Sequence, residues 1–389
     1  MATVTKPIAL DETLQSVNDT LKGIKTAIVN SKTSELTTWR EIQANIRKGL
    51  GAELYPAGTK FYIYKYANGT EKTGTPTKYY IDVVGVDKHF LKKHGEATAT
   101  HSITFQFHEL LNESMQFDNA EDQYGLSLDT SVVSWKTYYS DTAGTKVESP
   151  TGKPTEQGYY EQNDTSQYPR KTYGSNNWRH SGMRKWLNAS PTTAAGAWWT
   201  KTTPFDKAPS YSDILPFQAL LADAVDSDGC TLLDVVGPVT LNTILNTIKN
   251  PDNSDYYLDA DANGNYAVAS RLGYDTTEDT FYLLSTKEIH CSAYNETDGV
   301  LMDYYDKFSD FSSPISAWSS TDTNLYKHKQ NSTSSTWWWC RSANANNANN
   351  VMNANGQVNN NNAVNGNGVA PDLVLRYFYS ETEYYLCGD

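Results

Sequence analysis

The sequence has few cysteines and no long apolar run. Four cysteines occur in 389 residues, at Cys230, Cys291, Cys340 and Cys387. None forms a C-x-x-C pair, which argues against a zinc ribbon or a dithiol redox centre. Buried thiols and one disulfide are both compatible with this spacing. No stretch of about 18 apolar residues is present, so we predict no membrane insertion.

Basic residues are also in deficit. The chain has 32 Lys and Arg against 45 Asp and Glu, a net charge of -13. Binding to a phosphate backbone relies on Lys and Arg to displace counterions, so a nucleic-acid partner is not expected. The opening residues, MATVTKPIALDETLQ, lack a cationic segment followed by an apolar core. We therefore expect no signal peptide.

Motifs for catalysis, metals and cofactors are missing as well. No G-x-S-x-G, H-E-x-x-H or phosphate-binding Gly loop occurs. His101 and His108 are an odd number of residues apart, so in a strand they diverge, and the LDADANGNY stretch lacks the final Glu of a calcium loop. We predict no catalytic residues, no metal and no cofactor. The acidic residues Asp223, Asp226, Asp228 and Asp234 are interpreted as surface charge, although a paired-acid glycosidase remains an alternative.

The N-terminal segment has a heptad pattern. Apolar residues recur at spacings of 4, 3, 4, 3 and 4, which predicts one seam of a supercoiled helix. β-Branched residues at the d positions favour three or more strands, so we predict a homotrimer, with packing of the helix on its own domain as the alternative. The seam consists of Leu10, Leu14, Val17, Leu21, Ile24 and Ile28.

The next segments alternate between helix and strand patterns. Leu36, Trp39, Ile42, Ile46 and Leu50 form the apolar stripe of a second helix, ended by Gly51 and Pro56. Residues 55–118 have the alternating pattern of antiparallel strands, with a tight turn at Asn68-Gly69, and residues 118–167 indicate a long polar surface insertion.

The second half predicts short helices separated by short strands. Ser181 is placed to cap one helix, Pro216 to begin another, and Ser285 with Glu288 to form a capping box. CTLLDVVGPV and DTFYLLS are predicted strands, as are WWWCRSA and LVLRYFY near the end. The whole pattern is α+β with long loops and without βαβ repetition.

An asparagine tract lies between the last two strands. Residues 342–371 carry no charge, and 13 of the 24 residues from 344 to 367 are Asn. The interspersed Ala, Val and Met residues predict anchored short turns with outward-facing amides that donate and accept hydrogen bonds. A disordered prion-like loop is the alternative. The amides predicted to face outward are those of Asn344, Asn346, Asn347, Asn349, Asn350, Asn353, Asn355, Asn359, Asn360, Asn361, Asn362, Asn365 and Asn367.

The order of several motifs resembles a known family. NNWRHSGMRKWLN at 176–188, FYLLSTKEI at 281–289 and then WWWCRSAN, GQV and NGVAPDLVLR resemble the formylglycine-generating-enzyme-like branch of the C-type lectin fold. More narrowly, they resemble the variable proteins of diversity-generating retroelements, of phage or gut-microbial type. In that family a reverse transcriptase rewrites adenines in a C-terminal cassette, and variable positions are commonly AAC codons. The resemblance implies that these thirteen Asn residues are the variable, ligand-binding positions.

The resemblance also implies an organisation and a function. Residues 1–50 would form a helical oligomerisation segment, 51–155 a β-rich part with the insertion, and 156–389 a C-type-lectin-like domain whose variable region is 340–371. The expected function is binding of a bacterial surface receptor, protein or glycan, as part of a phage tail or tail fibre with other tail proteins. The expected location is the virion or, second, a bacterial surface. Alternatives are a tailspike-type polysaccharide-degrading enzyme, a formylglycine-generating-like oxidase and a structural tail or capsid-decoration protein.

Overall fold

The computed structural model describes the parts of the chain from which the fold is built. The described residues are 16–17, 20, 38–65, 73–89, 101–111, 113–120, 137–140, 146–147, 156–159, 178–200, 207–222, 224–226, 230–244, 248–249, 255–260, 266–268, 274–291, 299–308, 327–329, 332, 336–344, 348–352 and 358–375. Most of the predicted heptad seam and the Asn68-Gly69 turn lie outside them. Of the seam, Val17 is described, in helical conformation and half exposed.

The helices are few and short. Within the described residues none is both long and apolar enough to span a bilayer. The α-helices are α1 (Trp39–Arg47), α2 (Gly51–Leu54), α3 (Gly182–Asn188), α4 (Phe217–Leu221), α5 (Leu232–Val235) and α6 (Asp303–Asp306), and a 3-10 turn covers Trp178–His180.

Strands dominate the described chain, which is mixed α and β. They are β1 (Lys60–Lys65), β2 (Thr77–Val86), β3 (Ile103–Phe107), β4 (Met115–Gln116), β5 (Thr137–Ser140), β6 (Lys146–Val147), β7 (Glu156–Tyr159), β8 (Ala224–Val225), β9 (Val239–Ile244), β10 (Ile248–Lys249), β11 (Asp255–Ala260), β12 (Tyr266–Val268), β13 (Tyr274–Asp279), β14 (Phe281–Tyr282), β15 (Trp338–Asn344), β16 (Ala348–Met352), β17 (Val358–Asn362), β18 (Gly366–Asn367) and β19 (Asp372–Val374).

A six-stranded sheet organises the fold, in the order β14-β19-β3-β2-β1-β8. Its neighbouring strands are antiparallel, as predicted for residues 55–118. One face is apolar, because the register places Ile81 opposite both Phe61 and Phe107. Trp39 of α1 packs edge-on against Phe105 with 6.4 Å between ring centroids, so α1 covers this face.

Several local predictions are confirmed. The Ser181 side chain accepts a hydrogen bond from the backbone N–H of Arg184 and caps α3. Ser285 and Glu288 exchange both capping-box bonds, the Glu288 Oε2 accepting from the Ser285 N–H at 2.8 Å and the Ser285 Oγ from the Glu288 N–H at 3.2 Å. This box closes a turn rather than opening a helix. Short side-chain oxygens near backbone donors are readable from sequence because the bond is local.

Other predictions are wrong. The run LLDVV, predicted as strand, contains α5, because Thr231 and Asp234 form a capping box that starts a helix. The surface insertion predicted at 118–167 contains the three-stranded sheet β6-β5-β7, for which its polar composition gives no signal. The helix predicted at Pro216 is present, with Pro216 as its N-cap, but it ends at Leu221, and Ala224–Val225 form β8 instead. Asp226 is buried, not surface charge, and accepts hydrogen bonds from the N–H groups of Trp39 and Cys230.

Candidate functional site: the asparagine ribbon

Much of the asparagine tract is β-structure rather than a series of turns. β16 lies between β15 and β17 in an antiparallel sheet of three strands, which we call the asparagine ribbon (β15, β16 and β17). Cross-strand pairs set Asn349 opposite Asn361 and Asn350 opposite Asn360. Asn disfavours strands by propensity, so pairing with the aromatic strand β15 decides the conformation here.

The register gives the ribbon two asparagine-bearing faces. Residues directly opposite each other share a face, and neighbours along a strand alternate. Asn350 and Asn360 therefore share one face, while Asn349 and Asn361 share the other. At the base of the ribbon, Trp338 pairs with Met352 and Trp339 with Val351.

The thirteen predicted asparagines differ from one another in their exposure to solvent. Asn365 is exposed, Asn359, Asn361 and Asn362 are half-buried, and Asn367 is buried. Asn344, Asn349, Asn350 and Asn360 are described as strand residues. Asn346, Asn347, Asn353 and Asn355 lie outside the described residues.

The turn after β17 is held by its own amides. The Oδ1 of Asn361 accepts from the Asn365 Nδ2 at 2.6 Å and from the Asn362 N–H at 2.9 Å. The Asn361 Nδ2 donates to the Oδ1 of buried Asn367 at 3.2 Å. Asn367 thus belongs to the support of the turn, not to its accessible surface.

The C-terminal end of the tract is fixed by backbone pairing. Gly366 and Asn367 pair with Gln116 and Met115, and the carbonyl of Ala363 accepts from the N–H groups of Phe117 and Asp118. The side chains of Val358 and Ala363, within the tract, are buried in the core. The tract is therefore anchored at its base and at its return to the core.

Both flanks of the tract enter a buried polar network. Before it, the Arg341 guanidinium binds Glu288, with Nη1 to Oε2 at 2.5 Å and Nη2 to Oε1 at 3.0 Å. His89 Nε2 lies 2.7 Å from the same carboxylate, and its Nδ1 lies 2.6 Å from the Tyr282 hydroxyl. After the tract, Asp372 begins β19 inside the six-stranded sheet.

The second face of that sheet is a buried polar row. The register sets Asp82 opposite Gln106, Gln106 opposite Asp372 and Asp372 opposite Tyr282. The Tyr305 hydroxyl donates to Gln106 Oε1 at 2.6 Å, and the Leu284 N–H donates to Asp372 Oδ2 at 3.1 Å. The row joins strands up to 290 residues apart in sequence (372 minus 82). No sequence pattern signals this row, and the Ser285–Glu288 spacing signals only a neighbouring part of the buried network.

Two buried acids in this network have opposite pKa shifts. Burial works against ionisation of Glu288, but the neighbouring Arg341 and His89 outweigh it and hold the pKa of that carboxyl well below its usual value. For Asp372, burial dominates and raises the pKa well above its usual value, despite the charge of Lys327. Glu288 is therefore a charged partner, while the environment of Asp372 favours the neutral acid.

Lys327 is a buried base with a testable pH signature. Burial lowers its pKa from 10.5 to about 8, although Asp82 and Asp372 oppose the shift. Between these two values the unfolded chain keeps a proton that the folded chain has released, so stability should rise with pH in that window. Relative to Lys327→Met, the wild-type free energy of unfolding should gain up to about 1.4 kcal/mol per pH unit from pH 8 to 10. Urea denaturation at each pH measures this, and a constant difference contradicts it.

The cysteines divide into two kinds. Cys291 and Cys340 are buried thiols that form no disulfide, and Cys230 is disulfide-bonded. Cys340 lies in β15, next to the buried Arg341. His101 and His108 bind different acids, Asp87 at 3.2 Å and Asp82 at 2.6 Å. Within the described residues no group of three His, Cys, Asp or Glu is arranged to hold a metal ion.

The comparison with protein families finds a match over the C-terminal part of the described fold. A family model described as "Domain of unknown function (DUF6273)" matches residues 156–377, more than half of the chain. No curated protein and no solved structure matches. The matched region contains the asparagine ribbon and β19. Strands β1, β2 and β3, which complete the six-stranded sheet, lie outside it.

Proposed function

We propose, from the premise that this chain belongs to the DUF6273 family, that it is a ligand-binding display protein whose recognition surface is the asparagine ribbon. The main support for this proposal is the difference in solvent exposure between the tract and the residues on either side of it. Arg341 and Asp372 are fully buried in the polar network on either side, while Asn359, Asn361, Asn362 and Asn365 retain exposure. Side chains between fixed ends are free to change without disturbing the core that holds them.

The chemistry of the surface suits varied polar ligands. Each Asn amide both donates and accepts hydrogen bonds and carries no charge. The ribbon therefore offers a neutral template on which single substitutions add aromatic, hydroxyl or charged groups. This supports the further proposal that the chain is a variable protein of a diversity-generating retroelement with a C-type-lectin-like body.

The proposed setting is attachment of a phage tail to a bacterial surface receptor, with the N-terminal heptads forming a trimer. A trimer would multiply weak contacts by avidity. Sedimentation of the full chain and of a chain lacking residues 1–34 tests this arrangement. Loss of the trimer on truncation is expected, and an unchanged mass contradicts it.

Randomising the accessible asparagines tests recognition directly. A display library varied at Asn359 and Asn362, whose side chains are partly exposed, should yield clones that bind different immobilised bacterial surface proteins or glycans. Their melting temperatures should stay within about 3 °C of the parent, because surface substitutions usually change stability by less than 0.5 kcal/mol.

The matched control is Asn367→Tyr. Asn367 is buried and supports Asn361, so a larger side chain there should overpack the core and cost about 1–3 kcal/mol. Equal destabilisation at all three positions would mean that the ribbon is structural. Turnover of the tested polysaccharides by the parent would instead point to an enzyme.

A further inference from the structure

A small groove lies beside the asparagine ribbon, between the end of β3 and helices α3 and α4. Its volume is about 150 Å³, and its walls include Tyr79, Phe107, Trp186 and Leu220. Sites for drug-sized ligands are roughly 300–1,000 Å³, so this groove suits one side chain rather than a whole ligand. Its rim includes the exposed Ile214.

Two carboxylates line the otherwise apolar groove. Glu109 is half-buried and Glu113 is exposed. Within the described part of the chain neither carboxylate has a hydrogen-bond or ion-pair partner, and Glu109 interacts electrostatically with buried Lys327. The Lys327 ammonium does not form an ion pair with Glu109, because it donates to the carbonyls of Phe107 and His108 at 2.6 and 3.2 Å. The groove thus offers negative charge to an incoming group.

Three features define the occupant. Apolar and aromatic walls favour an aliphatic stem, the volume limits it to one side chain, and the two carboxylates favour a cationic head. A neutral apolar side chain would leave the carboxylates partly desolvated without compensation, and an anion would be repelled. The net charge of -13 also attracts a cationic surface over longer distances.

We propose that this groove binds a lysine side chain of a protein partner. The proposal stands apart from the function of the asparagine ribbon, since none of the groove-lining residues is one of its asparagines. The two sites are nevertheless adjacent. The segment that carries Leu110, Leu111 and Met115 also binds the end of the tract, through the Leu111 N–H to the Val369 carbonyl at 3.0 Å and the pairing of Met115 with Asn367. The groove would thus bind the same kind of side chain in every variant, next to the asparagine ribbon whose residues change.

Saturation-transfer NMR with small probes tests the proposal on the full chain. The probe is Nα-acetyl-lysine methylamide, compared with its Nε-acetylated and norleucine analogues, which keep the stem and lose the charge. The lysine probe should bind at least tenfold more tightly than either neutral analogue. Equal binding by the norleucine analogue would overturn the proposal, as would tighter binding by the arginine analogue or no binding at all.

Variants distinguish the groove from the general acidic surface. Glu109→Gln/Glu113→Gln should weaken lysine-probe binding at least tenfold, whereas Glu53→Gln, an exposed acid on α2, should change it less than twofold. Ile214→Trp should block the groove from its exposed rim without lowering the melting temperature. Equal loss with Glu53→Gln, or full binding by Ile214→Trp, contradicts the assignment.

Discussion

Glu288→Gln is expected to lower the free energy of unfolding by about 3–5 kcal/mol, because it leaves the Arg341 guanidinium buried without its charge partner. Both side chains are almost fully buried, and the pair is bidentate. Arg341 also donates to the Leu283 carbonyl at 2.9 Å, so the turn at 283–288 and strand β15 should loosen together. Chemical denaturation at pH 7 measures the loss.

The neighbouring acid supplies the matched control. Asp372→Asn should cost less than about 1.5 kcal/mol, because burial already favours the neutral acid and the amide oxygen can still accept from the Leu284 N–H. The double variant Glu288→Gln/Arg341→Met should recover part of the loss by removing both charges. Similar losses for Glu288→Gln and Asp372→Asn would contradict the assigned charge states.

The depressed pKa of Glu288 also gives a pH dependence. Its folded pKa lies below the unfolded value, so its contribution is present above the unfolded pKa, near 4.3, and declines as pH falls through the folded pKa. The Glu288→Gln variant should lack this component, so the wild-type advantage should shrink below pH 4.

Gly299→Ala is expected to destabilise the fold by about 3 kcal/mol. Gly299 has a φ of 92°, where an L side chain costs about 1–2 kcal/mol. An added Cβ would also collide with the Glu288 carboxylate, whose position is fixed by Arg341 and His89. Moving that carboxylate strains two charged contacts at once, adding about 1–3 kcal/mol as overpacking does.

Gly74→Ala isolates the backbone part of this effect. Gly74 has a similar φ of 85°, and an added Cβ there meets nothing within 4 Å. The variant should cost about 1–2 kcal/mol, the steric penalty of the left-handed region alone. Thermal and chemical denaturation of both variants give the difference. Equal losses would show that the Glu288 carboxylate yields easily and that the network is not rigid.

The sequence predicted the local features of this fold better than the distant ones. Ser181 and the Ser285–Glu288 box lie close to the backbone donors that they satisfy, so their spacing is sufficient evidence. The run at 232–236 is too short for periodicity to separate helix from strand, and the Thr231 cap decides it. The polar row could not be predicted, because it depends on a register among strands that are distant in sequence.

The candidate site shows the same limit. Composition identified the tract, but amide-rich residues carry no strand signal, and the partner strand β15 imposes the pairing. That Asn367 is buried follows from its pairing with Met115, a contact invisible in sequence. The proposed lysine-binding groove could not be predicted for the same reason. Glu109 and Trp186, which both line it, are distant in sequence and come together only in the folded chain.

The alternating register of β16 and β17 has a consequence for how such a ribbon would evolve. Because neighbouring residues of a strand alternate between its two faces, a flat partner can contact only every second position along β16 and β17. Among variants selected for binding to one target, conserved and variable positions should then alternate along each strand. A partner that contacts both faces of the asparagine ribbon would remove this alternation.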